Sequence, residues 1–477
     1  MSRRTRRASA VGCGVLALAC LTAPGLTAPG LAESSPITTS TTRIPGALGL
    51  VTPQPGSAAT VEPRIISGRA GTLWAISNNA AGDAAVYGSD DGGRSWRTTP
   101  TVPAGQVQPT VDTDLTLTTT GRLVAVELDG AALAFQVSYS DDHGKSWHRS
   151  LGTFPTDDDR PWLASGPKGR VYVAFHNLAS GAFAHDMWVQ TSTDDGRSFG
   201  PPVPLALPGQ QSWLDLQCAD SSGPSGIAVD QGTGRIVVSW ATRTSAAGGC
   251  GADLAPGSLQ ASVVFATRIW VATSATAAFG SWVVSLAVDR SRTGDIVDTQ
   301  FAAPVIDAGH RVYIVYEQTR GPADLVAGVR IVSADPLHRW SAARVLDPPA
   351  GQGDVLATAA AGRRGRIAVF WLHGSAAAGQ PASAALWRPA GVLLTGNRSV
   401  PLSLPAWAAY RGSAAAVDGL CGSGPGGNTD TDWLLCPRAA DDFGAAATAD
   451  HRAAFSWVVG LPGHTDGTYV TVTAPVL

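Results

Sequence analysis

The chain has 477 residues, a formal charge of −3 and a pI near 6.3, which leaves no basic footprint for nucleic acid or an acidic membrane surface. Its 55 glycines, 32 prolines and 15 tryptophans suit many short strands joined by tight turns. Length alone suggests two or three domains, but internal repeats argue for one ring.

Residues 1–32 read as a secretory signal peptide. "MSRRTRRASA" places arginines ahead of the apolar run "VGCGVLALACLTA", and small residues precede a cleavage point after Ala32. The run is too short for a membrane span, and "TVTAPVL" offers no apolar anchor, so the expectation is a secreted or periplasmic protein. Residues 33–61 form a lead-in. Within it, "TTRIPGALGL" (41–50) is expected to supply an outer strand to the last repeat, beside "TYVTVT" (468–473). Residues 62–477 carry the repeats.

The octet "SDDGGRSW" at 89–96 returns as "SDDHGKSW" at 140–147 and "STDDGRSF" at 192–199. Each follows a strand-like run, and upstream of each lies a second: "GTLWAIS", "GRLVAVE", "GRVYVAF". That upstream unit recurs as "GRIVVSW", "HRVYIVY", "GRIAVFW" and "HRAAFSW", giving seven units of strand, turn, strand, strand. Degenerate octets stand at 273–282 ("TSATAAFGSW") and 333–340 ("SADPLHRW"). A small sheet repeated seven times buries its faces only by stacking radially, which predicts an all-β propeller.

The octet resembles the Asp-box of the sialidase, or BNR-repeat, superfamily. Ser89, Asp91, Gly93 and Trp96 match it, as do Ser140, Asp142, Gly144 and Trp147, and Ser192, Asp194, Gly196 and Phe199. The resemblance implies that the boxes join third and fourth strands on the face opposite the active site. They would act as structural staples. The Asp accepts backbone N–H bonds, the Gly takes φ > 0 and the aromatic packs back into the apolar layer. Sialidases have six blades and other Asp-box propellers seven; the seven units favour seven.

On the opposite face an acidic residue precedes each unit: Glu62, Asp114, Asp159, Asp220, Asp298, Asp354 and Asp442. They form either a ring at the channel mouth or turn residues that merely favour such positions. The sialidase likeness implies three arginines clamping a substrate carboxylate, a Tyr nucleophile with a Glu, and an Asp acid/base. Arg64 in "EPRII" takes the first arginine's place, with Pro63 and Ile66 departing from the family motif; "TRIP" (42–45) copies it better but lies too early. Repeat phase nominates Arg243, Arg320, Tyr316, Glu317 and Asp159 for the rest, against the alternative that they are ordinary rim residues.

Cys218, Cys250, Cys421 and Cys436 remain after the leader, an even number that reads as two disulfides. Proximity favours 218–250 and 421–436 among three pairings. Asn428, Asp430 and Asp432 are spaced as the first calcium-loop ligands, without the loop Gly or closing Glu. No cofactor is required by this reading, and Ca²⁺ is the one candidate. "WLDLQ" (213–217) and "HDMW" (185–188) place Trp near carboxylates, for sugar stacking or for core packing. The expectation is a monomeric, secreted, sialidase-like propeller engaging a glycan or glycoconjugate and hydrolysing a terminal sugar, or else a non-catalytic carbohydrate- or protein-binding propeller.

Overall fold

The structure, a computed structural model, describes residues 37–43, 63–78, 84–99, 102, 112–129, 134–178, 186–217, 224–242, 266–297, 302–319, 326–335, 339–348, 350–351, 353–375, 385–404, 410–411, 443–459 and 467–477. The fold is a seven-bladed β-propeller, as the seven units predict. The first, innermost strands are Arg64–Ser67, Thr113–Leu117, Asp158–Ser165, Pro224–Val229, Pro304–Ile306, Gly353–Ala361 and Ala445–Ala447. Each pairs antiparallel with a second strand, of which Leu123–Asp129, Val171–Asn177 and Val312–Gln318 matter most below. Third and fourth strands complete each blade.

The second strands read as unbroken apolar runs because each blade is covered on both faces. In blade 3, Val171, Val173 and Phe175 pack towards blade 2, while Tyr172 and Ala174 pack towards blade 4. The core is therefore a series of wedges between neighbouring blades rather than one central mass.

Ring closure joins the two ends of the chain. Thr39–Arg43 pairs antiparallel with Tyr469–Thr473, so Ile37–Arg43 is the outer strand of blade 7. The strand overlaps the expected segment 41–50 at residues 41–43 and begins four residues before it. Ile37 and Thr38 also pair, in parallel, with Leu402 and Ser403 of blade 6.

The three boxes share one geometry, between the third and fourth strands of blades 1 to 3. In the first, Asp91 Oδ1 accepts from the Arg94 and Ser95 amides (both 2.9 Å), and Oδ2 accepts from the Ser95 hydroxyl at 2.6 Å. The Ser89 hydroxyl donates to Asp91 and accepts from the Gly93 amide at 2.8 Å. These bonds, led by that from the Ser95 side chain, hold the Asp91 carboxyl well below the usual range. Asp142 and Asp194 repeat the pattern with Ser146 and Ser198. Gly93, Gly144 and Gly196 all sit in the left-handed region, at φ 89°, 79° and 83°.

The box aromatic packs across the blade boundary. Trp96 lies against the blade 7–blade 1 wedge, Trp147 in that between blades 1 and 2, and Phe199 in that between blades 2 and 3. In the degenerate box of blade 4, Ser274 replaces the carboxylate as acceptor, yet Trp282 still packs in the wedge behind it. Trp340 packs likewise in blade 5, where Asp335 Oδ1 still accepts from the Arg339 amide at 3.1 Å. In blade 4 the cross-blade aromatic thus outlasts the loss of the Asp turn.

Candidate functional site

Strand direction puts the boxes of blades 1 to 3 at one end of the ring. The starts of the first strands and the ends of the second strands therefore lie at the other. A channel of about 280 Å³ runs between the first strands, lined by Arg64, Asp114, Trp162, Ser225, Thr358 and Gly444 among others.

Arg64 opens the first strand of blade 1. Alternation along that strand turns it, like Ile66, towards blade 2, where its Nε lies 3.7 Å from Asp114 Oδ1. Its guanidinium lies over the Trp162 ring of blade 3, 4.1 Å from the ring centroid. Asp114 also accepts from its neighbour Leu115 (2.8 Å) and, across the blade boundary, from the Leu163 amide (2.7 Å). Burial pushes the Asp114 carboxyl up, against the pull of Arg64 and the two amides. Trp162 in turn donates its indole N–H to the Pro224 carbonyl of blade 4. Four blades are tied together through one cation, one carboxylate and one indole.

The mouth is kinked in three places. The first strands of blades 3, 4 and 6 shift register at bulges, with Arg160 (φ 52°), Gly226 (φ 153°) and Leu356 (φ 60°) in positive-φ conformations. Bulges at a barrel or propeller rim re-aim the side chains beside them. Asp159, next to the blade 3 bulge, is half-buried, and its carboxylate accepts from the Arg160 amide at 2.9 Å.

Tyr316 and Glu317 are consecutive in a strand and so point to opposite faces. Tyr316 is fully buried in the wedge between blades 4 and 5, and burial raises its phenol pKa. Glu317 faces blade 6, where it accepts from the Ala357 amide at 2.7 Å. The nucleophile-and-prompter pair drawn from "YEQTR" is therefore not assembled: the two side chains are divided by their own sheet. Trp188 and Trp213 pack against buried clusters, as core residues do.

Arg243, Arg320, the four cysteines, Asn428, Asp430 and Asp432 lie outside the described residues, as do Glu62, Asp220, Asp298, Asp442 and the proposed leader. Of the acidic ring, the structure describes Asp114, Asp159 and Asp354, each in a different setting. Asp354 is fully buried and takes a 2.7 Å contact from His373 Nδ1, directly opposite it in the blade 6 register. Asp347, on the link from blade 5, completes a trio whose ligand atoms lie within 4.8 Å of one another. Burial pushes the Asp354 carboxyl up to about 6, and the bond to Asp354 raises His373.

Sequence reading passed over His373 and Asp347, which no repeat phase marks. It also passed over Asp158 of blade 3, and noted Asp186 only as a neighbour of Trp188; the two acids are aligned across three strands with Asn177 between them. Burial pushes Asp158 up to about 7 and Asp186 up to about 8. Adjacent acids in "TDDDR" and "HDMW" were visible; which of them the sheet would bury was not.

Residues 57–238, which contain all three boxes, match the BNR repeat-like domain family. This stretch belongs to the BNR-repeat superfamily. No curated protein matches the sequence. Among solved structures, the chain is similar to an ulvan lyase, a polysaccharide lyase bound to -[GlcA(1-4)Rha3S]-, at 13% identity and a TM-score of 0.52, over 87% of this chain and 95% of that one. The same lyase's other structure gives 13% and 0.51, again over 87% and 95%. An α-L-arabinanase of Penicillium chrysogenum aligns at 12% and 0.45, over 93% and 100%. At such identities the lyase likeness is one of fold. Among the described residues no helix is long and apolar enough to cross a membrane.

Proposed function

We propose that this chain is an exported propeller that engages a glycan at the box-free mouth of its channel. The observation that carries the reading is Arg64 stacked on Trp162 in the channel lining, with 15% of its side chain exposed. A planar cation held on an aromatic face offers a fork for a sugar carboxylate or hydroxyls beside an apolar surface. The ulvan lyase of similar fold is described with a uronic-acid-containing sugar, which supports an acidic glycan as the first class to test.

Sialidase-type hydrolysis is the finer reading, and two observations weigh towards recognition without that chemistry. Arg64 already faces an internal carboxylate, Asp114, which competes with a substrate carboxylate. Tyr316 and Glu317 lie on opposite faces of their strand. The test is a glycan array with wild-type protein and Arg64→Lys, alongside turnover of a fluorogenic α-sialoside. Arg64→Lys keeps a charge for Asp114 but loses the fork. Acidic-glycan binding that weakens at least about 10-fold in Arg64→Lys is expected. Folded protein that binds no glycan, or a variant that binds as wild type does, overturns the reading. Sialoside turnover would restore the hydrolase.

A further inference from the structure

We propose that Asp347, Asp354 and His373 form a binding site for a divalent transition-metal ion of the zinc class on the box-free end of blade 6. The donor set is one imidazole and two carboxylates, which suits zinc or manganese better than calcium, whose sites are built from oxygen alone.

The distances fit an ion. His373 Nδ1 lies 2.7 Å from Asp354 Oδ1 and 4.0 Å from Asp347 Oδ2. Around an ion with bonds of about 2.1 Å, ligand atoms stand ~3.4 Å apart in a tetrahedral site, and ~3.0 Å (neighbouring) or ~4.2 Å (opposite) in an octahedral one. Small side-chain shifts would open the direct His373–Asp354 contact to admit the metal.

A second observation is independent of the clustering. Asp354 is fully buried, and its Oδ2 has no hydrogen-bond partner. The Trp371 indole N–H lies near enough to lower both carboxylate pKa values, yet makes no hydrogen bond of acceptable geometry with either. A buried carboxylate oxygen without a partner costs on the order of 1–3 kcal/mol, a cost that a bound cation would offset.

The backbone also holds the site in shape. Asp354 and His373 are direct cross-strand partners, which fixes their Cβ atoms on one face. The link carrying Asp347 turns back through Gly351 (φ 59°) and Gly353 (φ 99°). A Cβ on Gly351 would meet the Gly374 carbonyl oxygen at 2.4 Å, and one on Gly353 the Ala327 amide nitrogen at 2.9 Å. Only glycine lets the link pass this close to its neighbours. The Asp347 and Asp354 amides are anchored to the Val329 and Ala327 carbonyls of blade 5.

The experiment uses the full chain without a polyhistidine tag, stripped with EDTA. Melting and isothermal titration are followed with Zn²⁺, Mn²⁺ and Ca²⁺ salts for wild type, His373→Gln and Asp347→Asn. Both substituted side chains are about one-third exposed. Metal-free Asp347→Asn should melt near wild type and His373→Gln below it, because buried Asp354 loses its 2.7 Å partner. Each variant's metal response is therefore read against its own metal-free form. The expected result is one-site Zn²⁺ binding that raises the wild-type melting temperature, with affinity at least 10-fold weaker in each variant. No Zn²⁺ binding by wild type overturns the proposal. So does Zn²⁺ binding unchanged in both variants, or a response to Ca²⁺ alone. None of these readouts depends on glycan binding.

Discussion

Replacing Arg64 by Ala tests both the candidate site and the way the ring is held together. The substitution leaves Asp114 buried, still bonded to the Leu115 and Leu163 amides but without its cation. Removing one member of a buried ion pair typically costs ~3–5 kcal/mol, most of it the exposure of the other charge to an apolar setting. Loss of the Trp162 contact adds on the order of 0.5–1 kcal/mol. Urea denaturation followed by tryptophan fluorescence should therefore show a loss of ~3–5 kcal/mol, against less than ~0.5 for the exposed Arg398→Ala. The double variant Arg64→Ala/Asp114→Asn should recover much of the loss, because no buried charge then remains. Acid should also narrow the gap. Burial already raises the Asp114 carboxyl and Arg64 lowers it, so deleting Arg64 lets the group protonate at higher pH. Arg64→Ala no worse than Arg398→Ala, or a double variant worse than the two single losses combined, would refute the coupling.

Gly196→Ala and Gly92→Ala both place a side chain at positive φ, which costs roughly 1 kcal/mol. Only the first drives a Cβ to 2.7 Å from Val124 of blade 2, whereas nothing lies within 4 Å at Gly92. Thermal melts should rank Gly196→Ala the more damaging by ~1–3 kcal/mol, and equal losses would show that the box glycine does not gauge blade packing. Tyr316→Phe should keep the fold and any sialoside turnover, because the phenol is sealed between blades; abolished turnover in a folded variant would return Tyr316 to the mechanism. Asp186, raised by burial to about 8, contributes stability below about pH 4 that is lost as pH rises through 8. Asp186→Asn should flatten that slope, a change of at most about 6 kcal/mol, and an unchanged pH–stability curve from 4 to 9 would refute the shift.

The fold was legible because its signals are local and repeated. Ser89, Asp91, Gly93 and Trp96 satisfy one another within eight residues, so a reader of sequence sees the whole device. Ring closure was legible for a related reason: a seventh second strand with only "TYVTVT" after it needs an outer partner from the other end of the chain. What a box aromatic packs against was not legible, since Trp147 meets Trp74, Leu115 and their neighbours across a blade boundary that the octet does not encode.

The candidate site was less legible because repeat phase assigns a residue to an end of a blade and not to a face of it. Tyr316 and Glu317 share the correct end, and one step of strand alternation sends them into different wedges. Arg64 and Asp114 share an end and a face, and there an ion pair forms. Bulges add a further shift: at Arg160 and Leu356 the first strand gains a residue, so counting from the repeat misplaces every side chain nearer the mouth. The same irregularity makes chemistry available. A strictly regular strand would alternate its side chains between two apolar wedges, and a polar group reaching the mouth would need the register to break. Asp159 and Asp354 both stand on the mouth side of such a break. The residues that sequence phase handles worst are thus those that stand beyond a register break, half-buried in the case of Asp159 and fully buried in that of Asp354.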